Sequence, residues 1–270
     1  MTSSTPPIPQ LSDLDTWRTI SASNLALQFE YIPRSMGKPW VHWVGLWAAD
    51  TKFPAAYPNS ATMLRPLAEQ EAADVVARLD QFYADENVNG PWMLWSAWPT
   101  PDLTPYGMHS AGQTPLMVRL PTSTPTSMPA AASTGIRIVE ASNEPDLLDV
   151  DYVMIHGYPI PELTFPHDRI TDVRAFGGPL RFFVGYEGDQ PVSCAMACIG
   201  EREMGIYAVA TLPDRRGKGY GAALTLAALA AAPHLPAVLE ASDFGQPIYR
   251  RLGFQVVSEY TIWYKPRGSA

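Results

Sequence analysis

A glycine turn set between an apolar strand and an alanine-rich helix constrains this chain more than any other stretch. It reads Arg216-Gly217-Lys218-Gly219-Tyr220-Gly221. The run Ile206 to Leu212 precedes it, with a Pro213-Asp214 turn between, and Ala222 to Ala232 reads as the helix that follows. Strand, glycine turn and helix place free backbone N–H groups and the positive end of a helix dipole in front of an anion. Glycine lets the backbone approach a phosphate without a Cβ and adopt positive φ. Arg216 and Lys218 add charge. The turn predicts a phosphate-bearing ligand.

The spacing is not that of a P-loop, whose first glycine stands well ahead of a Gly-Lys-Ser/Thr. A dinucleotide fingerprint asks for an acidic residue about 20 positions on, and Glu240 lies near that distance. The order of elements argues against that reading, because the turn follows several consecutive strands. Instead, Arg216-x-x-Gly219-x-Gly221 resembles the coenzyme A site of the GCN5-related N-acetyltransferase (GNAT) superfamily.

The resemblance extends downstream. Leu239-Glu240-Ala241-Ser242 reads as the next strand, and Tyr249-Arg250-Arg251-Leu252-Gly253-Phe254 ends a short helix. In the superfamily a helix ending in Tyr-x-x-x-Gly-Phe follows the fifth strand, and its tyrosine faces the coenzyme A thiol; Tyr249 matches it. Ser242 stands where many members carry Asn. The resemblance implies that Val209, Ala210 and Thr211 bond the pantetheine through their backbone. It also implies that Gly217, Gly219, Tyr220, Gly221 and Ala222, with Arg216 and Lys218, hold the phosphates, and that Tyr249 protonates the leaving thiolate. The co-substrate implied is acetyl-CoA, without a metal, and the acceptor is a primary amine. A small molecule is the first expectation, and a protein N-terminus or lysine the second. A non-catalytic acyl-CoA-binding sensor or scaffold is the alternative from another class.

The general base is the least marked part. Gly205 occupies the place where the histone-acetylating branch carries its Glu, so that base is missing. Glu203 on the same strand and Glu240 on the neighbouring one are substitutes, and His156, in Ile155-His156-Gly157-Tyr158, is a third candidate near neutral pH. The segment His156 to Gly178, with Tyr158, Phe165, Phe176, Glu162, Asp168 and Arg169, reads as a loop over the acceptor pocket.

The chain divides near its middle. Leu120 to Gly135 is a Pro/Ser/Thr/Ala stretch without periodicity and reads as a linker. The expected division is residues 1–120, a linker at 121–135, and a coenzyme A-binding domain at 136–270. In the latter, strands are expected at 135–141, 180–186, 191–199, 203–212, 237–241, 255–258 and 260–265. A helix capped by Ser142 or Asn143 follows the first. In the former, 61–83 has helical spacing, Pro91 to Trp98 alternates as a strand and Leu116–Leu120 looks like its short partner. This half resembles the degenerate first half of tandem acetyltransferases and has no glycine turn of its own. The fold class expected is α/β: two tandem GNAT-like units with a mostly antiparallel mixed sheet flanked by helices.

Seven of the eight tryptophans precede residue 120. They fill the first unit's core, or some line an acceptor pocket between the halves, with Trp40, Trp43 and Trp47 as the candidates. A hydrophobic content of 46% supports a sizeable core, and a net charge of −8 argues against nucleic acid or an anionic membrane as partner. Cys194 and Cys198 read as reduced core thiols, with no ligand set for a metal. Met1 to Gln10 lacks the pattern of a secretory signal, so a cytoplasmic protein is expected. A homodimer built on the last strands is compatible with the sequence.

Overall fold

The computed structural model describes residues 8–84, 91–121, 135–158 and 160–266. The expected linker falls almost wholly outside the described residues, as do the first seven residues and Pro159.

The first half runs α1 (Leu14–Ser35), β1 (Trp40–Trp43), β2 (Leu46–Ala49), β3 (Ser60–Met63), α2 (Ala72–Tyr83), β4 (Trp92–Ser96) and β5 (His109–Arg119). The second runs β6 (Arg137–Glu140), α3 (Glu144–Gly157), β7 (Leu180–Glu187), β8 (Gln190–Ile199), β9 (Met204–Thr211), α4 (Tyr220–Ala230), β10 (Ala237–Glu240), α5 (Gln246–Arg251) and β11 (Gln255–Lys265). All strands join one sheet in the order β1-β2-β3-β4-β11-β5-β10-β9-β8-β7-β6. The halves interleave: β11 lies between β4 and β5, and β5 lies between β11 and β10. Among the described residues, only β3–β4 and β9–β10 pair in parallel.

Strand alternation sends side chains to two faces. On β8, Cys194, Met196 and Cys198 join the core under α1 and α3, while Ala195 and Ala197 meet α4. A third cluster beneath α2 collects Leu46, Met63, Val76, Leu79, Leu94 and Trp263. Burying each large apolar side chain contributes about 1.5–3 kcal/mol. Both cysteines are free and fully buried, and burial pushes the Cys194 thiol up to about 12.

Local signals were followed closely in the second half. Asn143 caps α3 by accepting from the Asp146 N–H at 2.9 Å, and the Gly188-Asp189 turn joins β7 to β8 with Gly188 at φ 64°. Three expectations are corrected. The segments 255–258 and 260–265 form one strand, β11, interrupted by a register shift between Val256 and Ser258. Residues 60–63 belong to β3 rather than to a helix over 61–83, because Pro66 cannot continue a helix and α2 starts beyond it. The partner strand expected at 116–120 starts at His109. The long helix α1 was not anticipated. Its buried face mixes Trp17, Leu25 and Ile32 with Ser21, Asn24 and Gln28, which blurs the apolar stripe that marks a helix.

Candidate active site

Strand β9 organises the site. It pairs with β10 only at Ala237↔Met204 and Val238↔Gly205. Beyond these pairs β9 runs on to Thr211 and β10 to Glu240, the latter still bonded to β5. Opposite Cys194–Met196 of β8 the register shifts, so that three steps on β9 face two on β8. That is a bulge, and Ala208 sits in it at φ 53°, a rare conformation for a residue with a Cβ. The bulge follows directly on the point where the β9–β10 pairing ends. The Cys194 thiol donates to the Ala208 carbonyl at 3.3 Å. Ser193 Oγ donates to the Ala210 carbonyl at 2.7 Å and lies 2.8 Å from Thr211 Oγ1.

At one end of β9 lies the glycine turn. Gly217 and Gly219 have φ of 79° and 83°, and a Cβ on Gly217 would meet nothing within 4 Å. Gly219 is the N-cap of α4, and the first helical bond runs from the Ala223 N–H to its carbonyl. The N–H groups of Tyr220, Gly221 and Ala222 therefore have no intrahelical acceptor. This exposed cradle fits a pyrophosphate. The cations beside it are engaged within the protein. Arg216 Nη2 donates to the Gly157 carbonyl at 2.7 Å, tying the end of α3 to β9. Lys218 Nζ and the Tyr220 hydroxyl meet Glu187 at 2.6 and 2.8 Å, and Arg215 lies 2.9 Å from the same carboxylate. The hydrogen bonds from Lys218 and Tyr220 hold Glu187 below the usual carboxylate range.

Beside the middle of β9, Tyr57, Tyr207 and Tyr260 lie within electrostatic reach of the Glu240 carboxylate, and Tyr158 and Tyr249 lie between them and the glycine turn. Tyr249 on α5 is buried against Phe254, and its hydroxyl has no hydrogen-bond partner among the described residues. Burial pushes its phenol up to about 12, so it keeps its proton at neutral pH. Tyr158 reaches from the end of α3 to donate to the Val209 carbonyl at 3.0 Å. Tyr57 and Tyr158 are 42% and 47% exposed, yet desolvation raises both phenols strongly. Exposed surface in a desolvated place describes a recess. Tyr158 lies within electrostatic reach of Tyr249 and Tyr57, and Tyr57 within reach of Glu240, so Tyr249, Tyr158, Tyr57 and Glu240 neighbour one another in that order.

Glu240 is the acid of this series. Ser21 Oγ donates to its Oε1 at 3.0 Å, and the Tyr260 hydroxyl donates to Ser21 Oγ at 2.9 Å. Its charge also acts on Tyr57, Tyr207 and Tyr260. Burial raises the Glu240 carboxyl to about 7, against the smaller lowering by its hydrogen bonds. A carboxyl titrating there can take a proton from an ammonium near neutral pH.

The other candidates stand apart. Glu203 accepts from Asn24 Nδ2 at 2.9 Å, and the Tyr207 hydroxyl donates to Asn24 Oδ1 at 3.0 Å. Asn24 also explains Gly205, because a Cβ there would collide with Asn24 Oδ1 and the Tyr207 ring. His156 is exposed, with Nδ1 2.8 Å from the Tyr152 carbonyl and its ring against Tyr152 and Phe165. Ser242 Oγ accepts from the Gly245 N–H at 3.2 Å and shapes the entry to α5. In the loop, Arg169 pairs with buried Asp151 at 2.9 Å and Asp168 accepts from the Thr164 N–H at 2.7 Å, so both hold the chain itself. Trp40 and Trp47 stack at 5.4 Å on the edge hairpin β1–β2, many strands from β10. The tryptophan that reaches the recess is Trp95, edge-on to Tyr57 and Tyr260.

Residues 178–256 match the acetyltransferase (GNAT) domain family. The chain carries a GNAT acetyltransferase domain. Its class of activity is acyl transfer, and the matched stretch spans β7 through the start of β11, including the glycine turn, Glu240 and Tyr249. No curated protein matches the chain. Among solved structures, a GCN5-related N-acetyltransferase from Kribbella flavida superposes with a TM-score of 0.62 at 18% identity, over 93% of this chain and 96% of that one. One from Sphaerobacter thermophilus gives 0.55 at 14%, over 84% and 78%. A protein of unknown function from Staphylococcus epidermidis gives 0.57 at 13%, over 86% and 95%. These likenesses span both halves, so the GNAT domain and its preceding half recur together as a fold.

Ser21, Asn24, Tyr57, Tyr207 and Tyr260 were not singled out from the sequence. They come from four separate segments, and none carries a local motif. Tyr158 was visible only as part of an aromatic loop.

Proposed function

We propose that the protein transfers an acetyl group from acetyl-CoA to a primary amine of a small cationic molecule bound in a tyrosine-lined cleft between β9 and β10. The observation that supports this reading is the run of tyrosines, Tyr57 and Tyr158, that links Glu240 to Tyr249 beside the strand leading into the glycine turn. Acetyl-CoA supplies the acetyl group as an activated thioester. Gly217 and Gly219 leave room for its phosphates at the N-terminus of α4, and the backbone of Val209 to Thr211 is the edge for its pantetheine. Tyr158 donates one bond to the Val209 carbonyl, whose second lone pair can accept from a ligand N–H. Glu240 takes a proton from the ammonium, which makes the amine nucleophilic. Tyr249 holds its proton at neutral pH and offers it to the departing sulfur. No Lys, Arg or His among the described residues is an electrostatic partner of Glu240, and a lone carboxylate among aromatic rings favours a cation. It disfavours an acceptor with a carboxylate beside its amine.

The first half, residues 1–120, belongs to the same reading as a GNAT-like unit that lacks a coenzyme A site and closes the acceptor end, joined through 121–135 to 136–270.

Thiol release from acetyl-CoA tests this against 2-phenylethylamine, polyamines, aminoglycosides and free amino acids. Amine-dependent release, favouring acceptors without a carboxylate and reduced in Tyr249→Phe, is expected. Acetyl-CoA binding with no release across the whole panel would instead point to a sensor.

A further inference from the structure

The mechanism as read so far uses Glu240 but says nothing of what orients it. Its carboxylate lies at the end of β10, on the side where α1 crosses the sheet. Ser21 stands on the buried face of α1 and is fully buried, with its Oγ 3.0 Å from Glu240 Oε1. The Tyr260 hydroxyl, from β11, meets the same Oγ at 2.9 Å. A hydroxyl has one proton to give. Since Tyr260 donates to Ser21, the Ser21 proton is directed onto the carboxylate. Tyr260, Ser21 and Glu240 therefore form one donor network, in which the Tyr260 hydroxyl also lies within hydrogen-bonding reach of the carboxylate, and it links three elements remote in sequence.

We propose that Ser21 is a positioning residue for Glu240, through which the first half of the chain sets the orientation and proton affinity of the carboxylate in the acceptor cleft. The inference rests on the reading of Glu240 as the base. A donated hydrogen bond favours the ionised carboxylate. Ser21 thus opposes the burial that holds the proton on, and keeps the carboxyl able to release and regain it near neutrality. The titratable groups that face Glu240 are Tyr57 from the β2–β3 connection, Tyr207 from β9 and Tyr260 from β11. All three are phenols raised above their ordinary range, so none titrates alongside it. Asn24, one turn along α1, holds Glu203 and Tyr207 in place and makes no hydrogen bond to Glu240, which separates the two roles of the helix.

The test is a carboxyl titration by 13C NMR on the full chain labelled at the glutamate side-chain carbonyl carbon, with Glu240→Gln identifying the resonance. Ser21→Ala is expected to raise the Glu240 midpoint by about half a pH unit or more, roughly a threefold change in acidity. Ser21→Thr, which keeps the hydroxyl, should restore it. Tyr260→Phe leaves Ser21 in place and should move the midpoint upward by less. A midpoint unchanged in Ser21→Ala overturns the proposal whatever Tyr260→Phe does, since a merely structural serine would leave the titration where it was. The base reading fails separately, if Glu240→Gln keeps wild-type amine-dependent thiol release.

Discussion

The two halves of the molecule make the same crossover twice and finish it differently. In each, three antiparallel strands lead through a turn and a helix to a fourth strand parallel to the third: β3, α2 and β4 in the first half, β9, α4 and β10 in the second. In the second crossover the turn is open, with two glycines at positive φ and helix N–H groups facing solvent. In the first it is filled by the chain's own groups. Arg65 grips Glu71 through two bonds of 2.8 and 2.6 Å, and Glu71 accepts from the Ala68 N–H at 3.3 Å. The carboxylate and the cation of this turn satisfy each other, and the Glu71 side chain makes no capping bond to α2. The strands differ in the same sense: β3 and β4 stay paired over Ser60–Thr62, whereas β9 bulges and leaves β10 after two pairs. Topology alone does not make a coenzyme A site. In the proposed reading, unoccupied N–H groups and a parted pair of strands do.

The largest effect should come from the open crossover's acid. Glu240→Gln is expected to lower kcat/KM for amine acetylation by about 100-fold or more, the usual contribution of a general base. Steady-state thiol release would also lose its acid limb near pH 7, and an unchanged pH profile would assign the base elsewhere. The same carboxyl shapes stability. Its folded-state value of about 7 exceeds the ordinary 4.5, so the folded protein keeps a proton that the unfolded chain has lost between those values. Its stabilising contribution is complete below about pH 4.5 and declines as pH rises to about 7. Two and a half units at roughly 1.4 kcal/mol each give about 3 kcal/mol. Urea unfolding at pH 5 and pH 8 should show this fall in wild type and lose it in Glu240→Gln.

A smaller effect is expected where α1 meets β9. Gly205→Ala places a Cβ against Asn24 and Tyr207 and should cost about 1–3 kcal/mol, as overpacked cores do. A lowered Tm with acetyl-CoA affinity intact would separate the acceptor end from the phosphate end; an unchanged Tm would mean that α1 gives way. The smallest effect belongs to the closed crossover. Glu71→Gln breaks an exposed ion pair, and such pairs contribute little, so Tm should barely move and no second acetyl-CoA should bind. Binding of a second molecule would show that the filled turn is a masked site.

Much of the second half was legible because its signals are local. The glycines at 217 and 219, the cap at Asn143, the two-residue turn at Gly188 and the Tyr249–Gly253–Phe254 spacing each act within a few residues. The acceptor end was not legible, because Ser21, Tyr57, Tyr207, Glu240 and Tyr260 meet only after the sheet interleaves its halves. Glu240 was weighed as a base, but its neighbours could not be. The helix that carries Ser21 was hidden for a related reason: a face built around polar contacts has no clean apolar period. The charges of Arg216 and Lys218 were visible, while their engagement by the Gly157 carbonyl and Glu187 depended on elements far along the chain.

The most direct test of the account is calorimetric titration of acetyl-CoA into the full chain and into Gly219→Val. A β-branched residue at φ 83° strains the turn, so the account predicts one site per chain in the wild type and affinity lowered about tenfold or more in the variant. Two sites per chain, or one whose affinity survives Gly219→Val, would contradict it.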